Sequence, residues 1–400
     1  MQLGWVDFSK EDREKVLDVM NLLQEPGAVD EIGIGLVRDA FANLFFPGTS
    51  TVQTVAKYFL IVPYVLKEAC SGKYGNNLPK VIQRIDDEEK ACGILLLQHC
   101  PDEDGIIGKR VLPKKWVARK PSNIYWNGIR VYGICTQDIS VPELIKASLA
   151  LQTMKKTAAL GNRNDDAEEN DRDDADAGND SAMQFFSVPD DYYGDWRQNL
   201  SIGLTSTEAA FLRKKIETNT NGTLLGYLLK NKIDVNKYDS FEAIYEDIRE
   251  DIPEELAQLM HMACEFNRLV YAARVRYNYI LSDGENEAAA EKWQQIIENK
   301  AFMMAVDIDA VLATLQITNH RLRRFLTAFK AAVLAEDFET ADKALIDREV
   351  EIKSKARAKL LKRENYANDA WIGGEYLDYR FFSARRIIND IYSGEEPAHV

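Results

Sequence analysis

An acidic segment without large apolar side chains constrains the fold of this chain most. Residues 161–180 carry nine acids and two arginines, a net charge of −7, and no apolar residue larger than alanine. Such a segment cannot bury enough surface to offset the entropy of ordering it. We therefore predict a disordered acidic linker at 161–182, joining an N-terminal domain at 1–160 to a C-terminal domain at 183–400. A spacer is the favoured role; an acidic docking segment or a DNA mimic that guards a basic surface remains an alternative.

The negative charge is unevenly distributed along the chain. The 400 residues have a formal net charge of −14, which by itself argues against a nucleic-acid partner. Residues 1–160 nevertheless have a net charge of +1, whereas residues 181–400 have a net charge of −8. The overall acidity therefore does not exclude a nucleic-acid contact made by the N-terminal domain.

The sequence favours a cytoplasmic protein that does not enter a membrane. Its first residues turn charged before any apolar stretch develops, and no apolar run reaches the roughly 18 residues that a membrane helix needs. The five cysteines are widely spaced, which favours reduced thiols over disulfides. They are Cys70, Cys92, Cys100, Cys135 and Cys264.

Apolar residues at helical spacing recur through the N-terminal domain. Ser9 is a good N-cap for a first helix, the pair Pro47 and Gly48 ends a second, and Pro63 ends or kinks a third. A strand-like or irregular passage then leads to a short helix capped by Ser122. The predicted helices follow Ser9 and cover Ile34–Phe46, the stretch from Thr51 to Pro63, and 79–100.

The C-terminal domain shows longer amphipathic patterns and almost no alternating strand pattern. The predicted helices cover 205–217, 253–281, 287–304, 319–335, 337–364 and 375–392. We therefore predict a mainly α protein with a small helical N-terminal domain and a C-terminal helical bundle. Helix-turn-helix or winged elements with a few short strands stay open for the N-terminal domain.

No established catalytic motif is present. The chain lacks a phosphate loop, a dinucleotide-binding glycine motif, a zinc-protease motif and a hydrolase nucleophile motif. Cys92, His99, Cys100 and Cys135 lack the paired short spacings of structural zinc sites, so buried thiols are the favoured interpretation. The sequence predicts no cofactor and no metal, and favours a protein that is not an enzyme.

An acidic run at Asp86 to Lys90 is the one candidate for metal-dependent chemistry. With Asp102, Glu103 or Asp104 it resembles the carboxylates and lysine that a metal-dependent nuclease requires. The run lies in a predicted helix, however, and its carboxylates point around that helix. A solvated helix face is therefore favoured over a nuclease site.

The best functional signal is a basic stretch with an aromatic residue at its centre. Phosphate binding needs clustered cations with little local repulsion, and an aromatic ring can stack on a base. We therefore predict a surface for nucleic acid or an acidic partner, with a solvated loop as the alternative. The stretch consists of Lys109, Arg110, Lys114, Lys115, Trp116, Arg119 and Lys120.

A second candidate surface is the predicted helix, turn and helix from Leu36 to Tyr58. In a helix-turn-helix the second helix presents short polar side chains to phosphates and base edges. Two packed helices of any small domain look alike, so this remains a hypothesis. The candidate side chains are Thr49, Ser50, Thr51, Gln53, Thr54 and Lys57.

The C-terminal domain has two further groups of cations. We interpret the second as a solvated helix surface because its members spread around the predicted helix. The groups are Arg321, Arg323 and Arg324, and then Lys353, Lys355, Arg357, Lys359, Lys362 and Arg363.

Three segments of the chain resemble an uncharacterised bacterial family of unknown function. They are GWVDFS (4–9), IGIGLVRDAFANLFFPGTSTVQTVAKYFLIVPYVL (32–66) and KPSNIYWNGIRVYGI (120–134). The closing LDYRFFSARRIINDIYSG also resembles that family, so the resemblance extends over nearly the whole chain. The family has no established catalytic residues to carry over. The resemblance implies a place in genome-defence neighbourhoods, beside helicases and DNA-modifying enzymes.

We therefore expect a non-enzymatic, DNA-associated component or adaptor of a bacterial defence or genome-maintenance complex. Its partners would be DNA and other subunits such as a helicase or a DNA-modifying enzyme. A metal-dependent nuclease and a pure protein-interaction scaffold are the alternatives.

Overall fold

A computed structural model describes residues 30–161 and 185–396. Helices dominate these residues, and the strand pairing within them is limited to one bridge between Cys135 and Phe186. The mainly α class is thus confirmed. The predicted helix after Ser9 and nearly all of the predicted linker lie outside the described residues.

The α-helices of the first half are α1 (Gly35–Phe45), α2 (Tyr58–Cys70), α3 (Leu78–His99), α4 (Pro121–Val131), α5 (Val141–Gly161), α6 (Ser206–Asn219) and α7 (Leu224–Lys230). Those of the second half are α8 (Phe241–Ile248), α9 (Glu254–Leu281), α10 (Glu287–Glu298), α11 (Phe302–Ala305), α12 (Ile308–Thr314), α13 (His320–Leu334), α14 (Phe338–Lys353) and α15 (Phe381–Glu395). Short 3-10 turns cover Val235–Lys237 and Arg363–Asn365.

The described residues form two compact units that are discontinuous along the chain. The first unit comprises 30–41, 245–250 and 257–379. The second comprises 42–161, 185–244, 251–256 and 380–396. Residues on both sides of the acidic segment thus belong to the second unit. The proposed division of the chain at 161–182 stays a prediction.

The second unit is built around α2, all of whose residues are buried. Helices α3, α4 and α5 pack against α2, and α15 packs on α6. The helix begins at Tyr58, later than predicted, and continues through Pro63 to Cys70. A proline inside a helix costs about 3 kcal/mol, and burial of the apolar run YFLIVPYVL offsets that cost.

The first unit contains α13 and α14, which pack together as a helical hairpin, and α12 packs on α13. Asn319 caps α13 and Asp337 caps α14 through side-chain oxygens that accept backbone N–H bonds. The predicted helix 337–364 is too long, because the left-handed backbone of Ser354, at φ 73°, ends α14 at Lys353.

Two further helix predictions need correction. The pattern over 287–304 is divided between α10 and α11, and the last helix begins at Phe381, after the left-handed Arg380, and not at 375. Across residues 30–161 and 185–396, no helix combines the length and apolar character needed to cross a bilayer.

Candidate nucleic-acid interface

The basic loop, Lys109–Lys120, consists mainly of turns and rests on buried apolar residues of the second unit. The preceding Ile106 and Ile107 are buried, and the Ile107 N–H donates to the Tyr58 hydroxyl at 2.9 Å. Within the loop, the N–H groups of Val111 and Leu112 donate to the Gly108 carbonyl. The loop is therefore held by the packing beneath it.

Trp116 fastens the loop to α3. Its indole N–H donates to Asp86 at 2.9 Å, and its ring lies against the backbone at Gly93 and Gly108. A Cβ added at Gly108 would come within 3.2 Å of the ring, so glycine permits this close approach. The half-buried Trp116 thus has a packing role, which differs from the predicted stacking on a base.

Two of the six predicted cations are paired with acids. Lys120 lies 2.7 Å from Asp86, and Lys109 lies 3.8 Å from Asp104 while donating to the Glu103 carbonyl at 2.7 Å. These lysines join the ends of the loop to neighbouring segments. They leave little charge for a ligand.

The other four cations are available at the surface. Arg110, Lys114 and Lys115 are exposed and Arg119 is half-buried. Among residues 30–161 and 185–396, none of these four side chains has an ion-pair or hydrogen-bond partner. The loop therefore presents four unpaired positive charges on a packed base.

The second predicted surface, Thr49 to Lys57, is a turn and not the start of a helix. We call it the threonine turn. Thr49, Gln53 and Lys57 are almost completely buried, at 2%, 2% and 4% exposure. Ser50 and Thr54 are half-buried and Thr51 is exposed. The helix that follows is buried on every side, so it cannot enter a DNA groove as the recognition helix was predicted to do.

Polar groups of the threonine turn are satisfied inside the second unit. The Lys57 ammonium binds both carboxylate oxygens of Glu208, at 2.7 and 2.6 Å. The backbone N–H groups of Thr54 and Val55 donate to the Tyr125 hydroxyl at 2.7 and 3.1 Å, and that hydroxyl donates to the Val55 carbonyl. The polar pattern that suggested DNA reading is thus used for internal bonding.

Two carboxylates of the second unit accept backbone N–H groups, one from the threonine turn and one from the start of α4. Asp390 accepts the Ala56 N–H at 2.6 Å, and burial raises the pKa of Asp390 to about 6. Glu89 of α3 accepts the N–H of Ser122 in the first turn of α4, at 2.8 Å. Burial raises the pKa of Glu89 to about 7, although the Ser122 hydrogen bonds oppose the shift.

The acidic run Asp86 to Lys90 does not assemble into a metal centre in the described structure. Asp86 binds Trp116 and Lys120, Glu88 pairs with Arg84 and Arg197, and Glu89 is buried against Ser122. Within residues 30–161 and 185–396, no group of three or more His, Cys, Asp or Glu side chains is placed to hold a metal ion. The predicted nuclease site therefore gains no support from this run.

Glu68 is a second carboxylate fixed inside the unit. Arg197 contacts it through two nitrogens, at 2.6 and 2.9 Å, and Tyr74 donates to it at 2.8 Å. Burial would raise the pKa of Glu68, but the hydrogen bonds from Arg197, Tyr74 and Lys73 outweigh it and lower the pKa to about 2. This carboxylate stays ionised as a structural anchor.

The cysteines are free thiols, with Cys70, Cys92, Cys135 and Cys264 buried. Burial raises the pKa of Cys92 and of Cys70 to about 12, so neither is an activated nucleophile.

Comparison with known proteins matches the N-terminal part of the chain to a family without a known function. Residues 1–148 match the model described as a family of unknown function (DUF6361). No curated protein and no solved structure matches the chain. The resemblance to an uncharacterised family is confirmed for these residues, which include the threonine turn and the basic loop. This match does not show the genome-defence setting, which rests on the sequence resemblance alone.

Proposed function

We propose that this protein is a non-enzymatic, DNA-associated component of a bacterial defence or genome-maintenance complex. It would contact the phosphate backbone through the basic loop and act as an adaptor for subunits such as a helicase or a DNA-modifying enzyme. The observation that carries the proposal is the set of four unpaired cations on the loop. Ordering these side chains costs less entropy where the loop backbone is already held.

The charges support contact with phosphate more than reading of base sequence. Trp116 is packed against glycine backbone, and the threonine turn is buried, so neither presents a base-reading group. Binding would therefore depend on charge and show little sequence preference. A scaffold whose basic loop meets an acidic protein surface is the second candidate, since the same four cations suit it.

The test is binding of a labelled DNA duplex to the full chain across a salt series, followed by fluorescence anisotropy. If all four cations contact phosphates, log K should fall with log salt at a slope of about −3.6, since each contact contributes about −0.9. Replacing the four cations by glutamine should remove this slope. The replaced residues are Arg110, Lys114, Lys115 and Arg119.

A charge-matched control separates a local contact from a general charge effect. It replaces four exposed lysines elsewhere in the second unit by glutamine, namely Lys146, Lys155, Lys214 and Lys230. The control should retain the affinity and the slope. No affinity at about 50 mM salt, or an affinity that does not change with salt, would contradict the phosphate contact and favour the scaffold.

A further inference from the structure

A groove of about 430 Å³ lies between α13 and α14 of the first unit. Its apolar part is lined by Phe325 of α13 and by two small side chains, Ala328 and Ala344. Arginines line the end nearest the start of α13. The groove thus combines an apolar floor with a positively charged rim, which is a suitable surface for an amphipathic ligand.

Three guanidinium groups share one carboxylate at this rim. Glu351 accepts contacts from Arg348 at 3.0 Å, from Arg324 at 3.2 Å and from Arg321 at 3.5 Å. Lys343 and Asp347 also line the groove, so four cations face two acids and the lining has an excess charge of +2. A ligand with carboxylates would supply the missing counter-charges.

Arg348 is the fixed member of the cluster. Its side chain is 6% exposed, and it donates to the carbonyls of Ile32 and Gly33, both at 3.0 Å. Its guanidinium also lies 5.7 Å from the centre of the Phe325 ring. These neutral partners orient Arg348 without cancelling its charge, so the floor of the groove is preorganised.

Arg321 and Arg324 are the adaptable members. Their side chains are 72% and 75% exposed, and each contacts Glu351 through one nitrogen. Exposed ion pairs of this kind contribute little to stability, so both guanidiniums can turn toward an incoming anion at small cost. Arg323, between them in sequence, is instead held by Asp309 at 2.6 Å.

We propose that this groove binds an acidic protein segment in which carboxylates flank a bulky apolar side chain. The apolar side chain would cover Phe325 between Ala328 and Ala344, and the carboxylates would pair with Arg321 and Arg324. The acidic stretch of this chain at 161–180 does not meet the requirement, because it lacks any apolar residue larger than alanine. We therefore assign the groove to a segment of another protein and not to this acidic stretch.

The experiment uses the full chain and short fluorescein-labelled peptides in which leucine and phenylalanine lie between glutamates. One comparison peptide has serine at both apolar positions, and another has glutamine at every acidic position. Fluorescence anisotropy should show binding of the complete peptide and at least about tenfold weaker binding of both comparison peptides, as expected when either hydrophobic burial or charge-assisted pairing is lost.

Variants locate the binding to the groove. Arg321→Gln with Arg324→Gln should weaken binding of the complete peptide at least about tenfold, whereas Arg323→Gln should change it less than about twofold. Ala328→Trp fills the groove and should abolish binding. Circular dichroism melting confirms that each variant is folded, and a misfolded Ala328→Trp is replaced by Ala344→Met.

Four results would overturn the proposal. They are absence of binding by the complete peptide, equal binding by the serine peptide, an equal loss with Arg323→Gln, and displacement of the peptide by inorganic phosphate or a DNA oligonucleotide. The last result would identify a general anion site. Because this groove and the basic loop use different residues, DNA binding can fail while peptide binding succeeds, and the reverse.

Discussion

The threonine turn and the basic loop are both polar, irregular segments of the second unit, yet their side chains have opposite environments. The turn buries Thr49, Gln53 and Lys57 and satisfies them internally, whereas the loop, which follows the buried Ile106 and Ile107, leaves four cations unpaired. A buried polar group without a partner is costly, but a solvated charge is not. Changes in the turn should therefore affect stability, and changes in the loop should affect binding.

The largest expected effect comes from the buried ion pair of the threonine turn. Lys57→Met leaves the Glu208 carboxylate buried without its cation, so the free energy of unfolding should fall by about 3–5 kcal/mol. Urea unfolding measures the loss, and Lys146→Met, at an exposed position, is the control. A loss below about 1 kcal/mol would show that the buried pair of Lys57 with Glu208 contributes little to stability. Adding Glu208→Gln should restore part of the stability.

The stability that Glu89 gives to the start of α4, next to the basic loop, should depend on pH. The pKa of Glu89 is raised from 4.5 to about 7, so its protonated form favours the folded state. This stabilisation is complete below about pH 4.5 and is lost as pH rises through 7, which corresponds to roughly 2–3 kcal/mol between about pH 5 and pH 8.

Glu89→Gln keeps an acceptor for the Ser122 N–H but cannot ionise. Between about pH 5 and pH 8, the free energy of unfolding in urea should therefore fall by roughly 2–3 kcal/mol less in this variant than in the unchanged protein. An unchanged difference between the two pH values would show that another group is responsible.

The hydroxyl that holds the threonine turn should have a smaller effect. Tyr125→Phe removes the partner of the Thr54 and Val55 N–H groups and should cost about 2 kcal/mol. Tyr132→Phe is the matched control, because the Tyr132 hydroxyl is fully buried without a hydrogen-bond partner in the described structure. Thermal melting should show little change or a gain for Tyr132→Phe. Equal losses for both would contradict the special role of Tyr125.

The smallest expected effect on stability belongs to the basic loop. Replacing Arg110, Lys114, Lys115 and Arg119 by glutamine should change the free energy of unfolding by less than about 0.5 kcal/mol, because exposed unpaired cations contribute little. Urea unfolding checks this value in the same variant used for DNA binding. A loss above about 1 kcal/mol would remove the contrast with the threonine turn.

Local patterns predicted the helices well where apolar spacing and caps agreed. The spacing over 253–281 and 319–335 matches α9 and α13 to within one residue, since amphipathic periodicity and capping side chains are local properties. The same reasoning placed the start of α2 too early. Thr49 to Thr51 have the chemistry of N-caps but serve the turn, because distant residues such as Arg380 and Gly105 bind this turn.

The sequence identified only part of the groove between α13 and α14. Arg321 and Arg324 were recognised as members of a basic group, but Arg348, Glu351 and Phe325 were not connected with them. Spacing along two separate helices does not reveal which residues face one groove. Hydrophobic periodicity indicates the buried face of each helix and leaves its neighbour undetermined.

The amino-acid sequence by itself determined the mainly helical class, the position of most helices, the acidic segment and the basic stretch with its six cations. Tertiary structure alone decided that Lys57 pairs with Glu208, 151 residues away, and that Trp116 packs against Gly93 and Gly108. The reason is physical: propensity and charge act between near neighbours in the chain, whereas burial depends on which distant segments share a core.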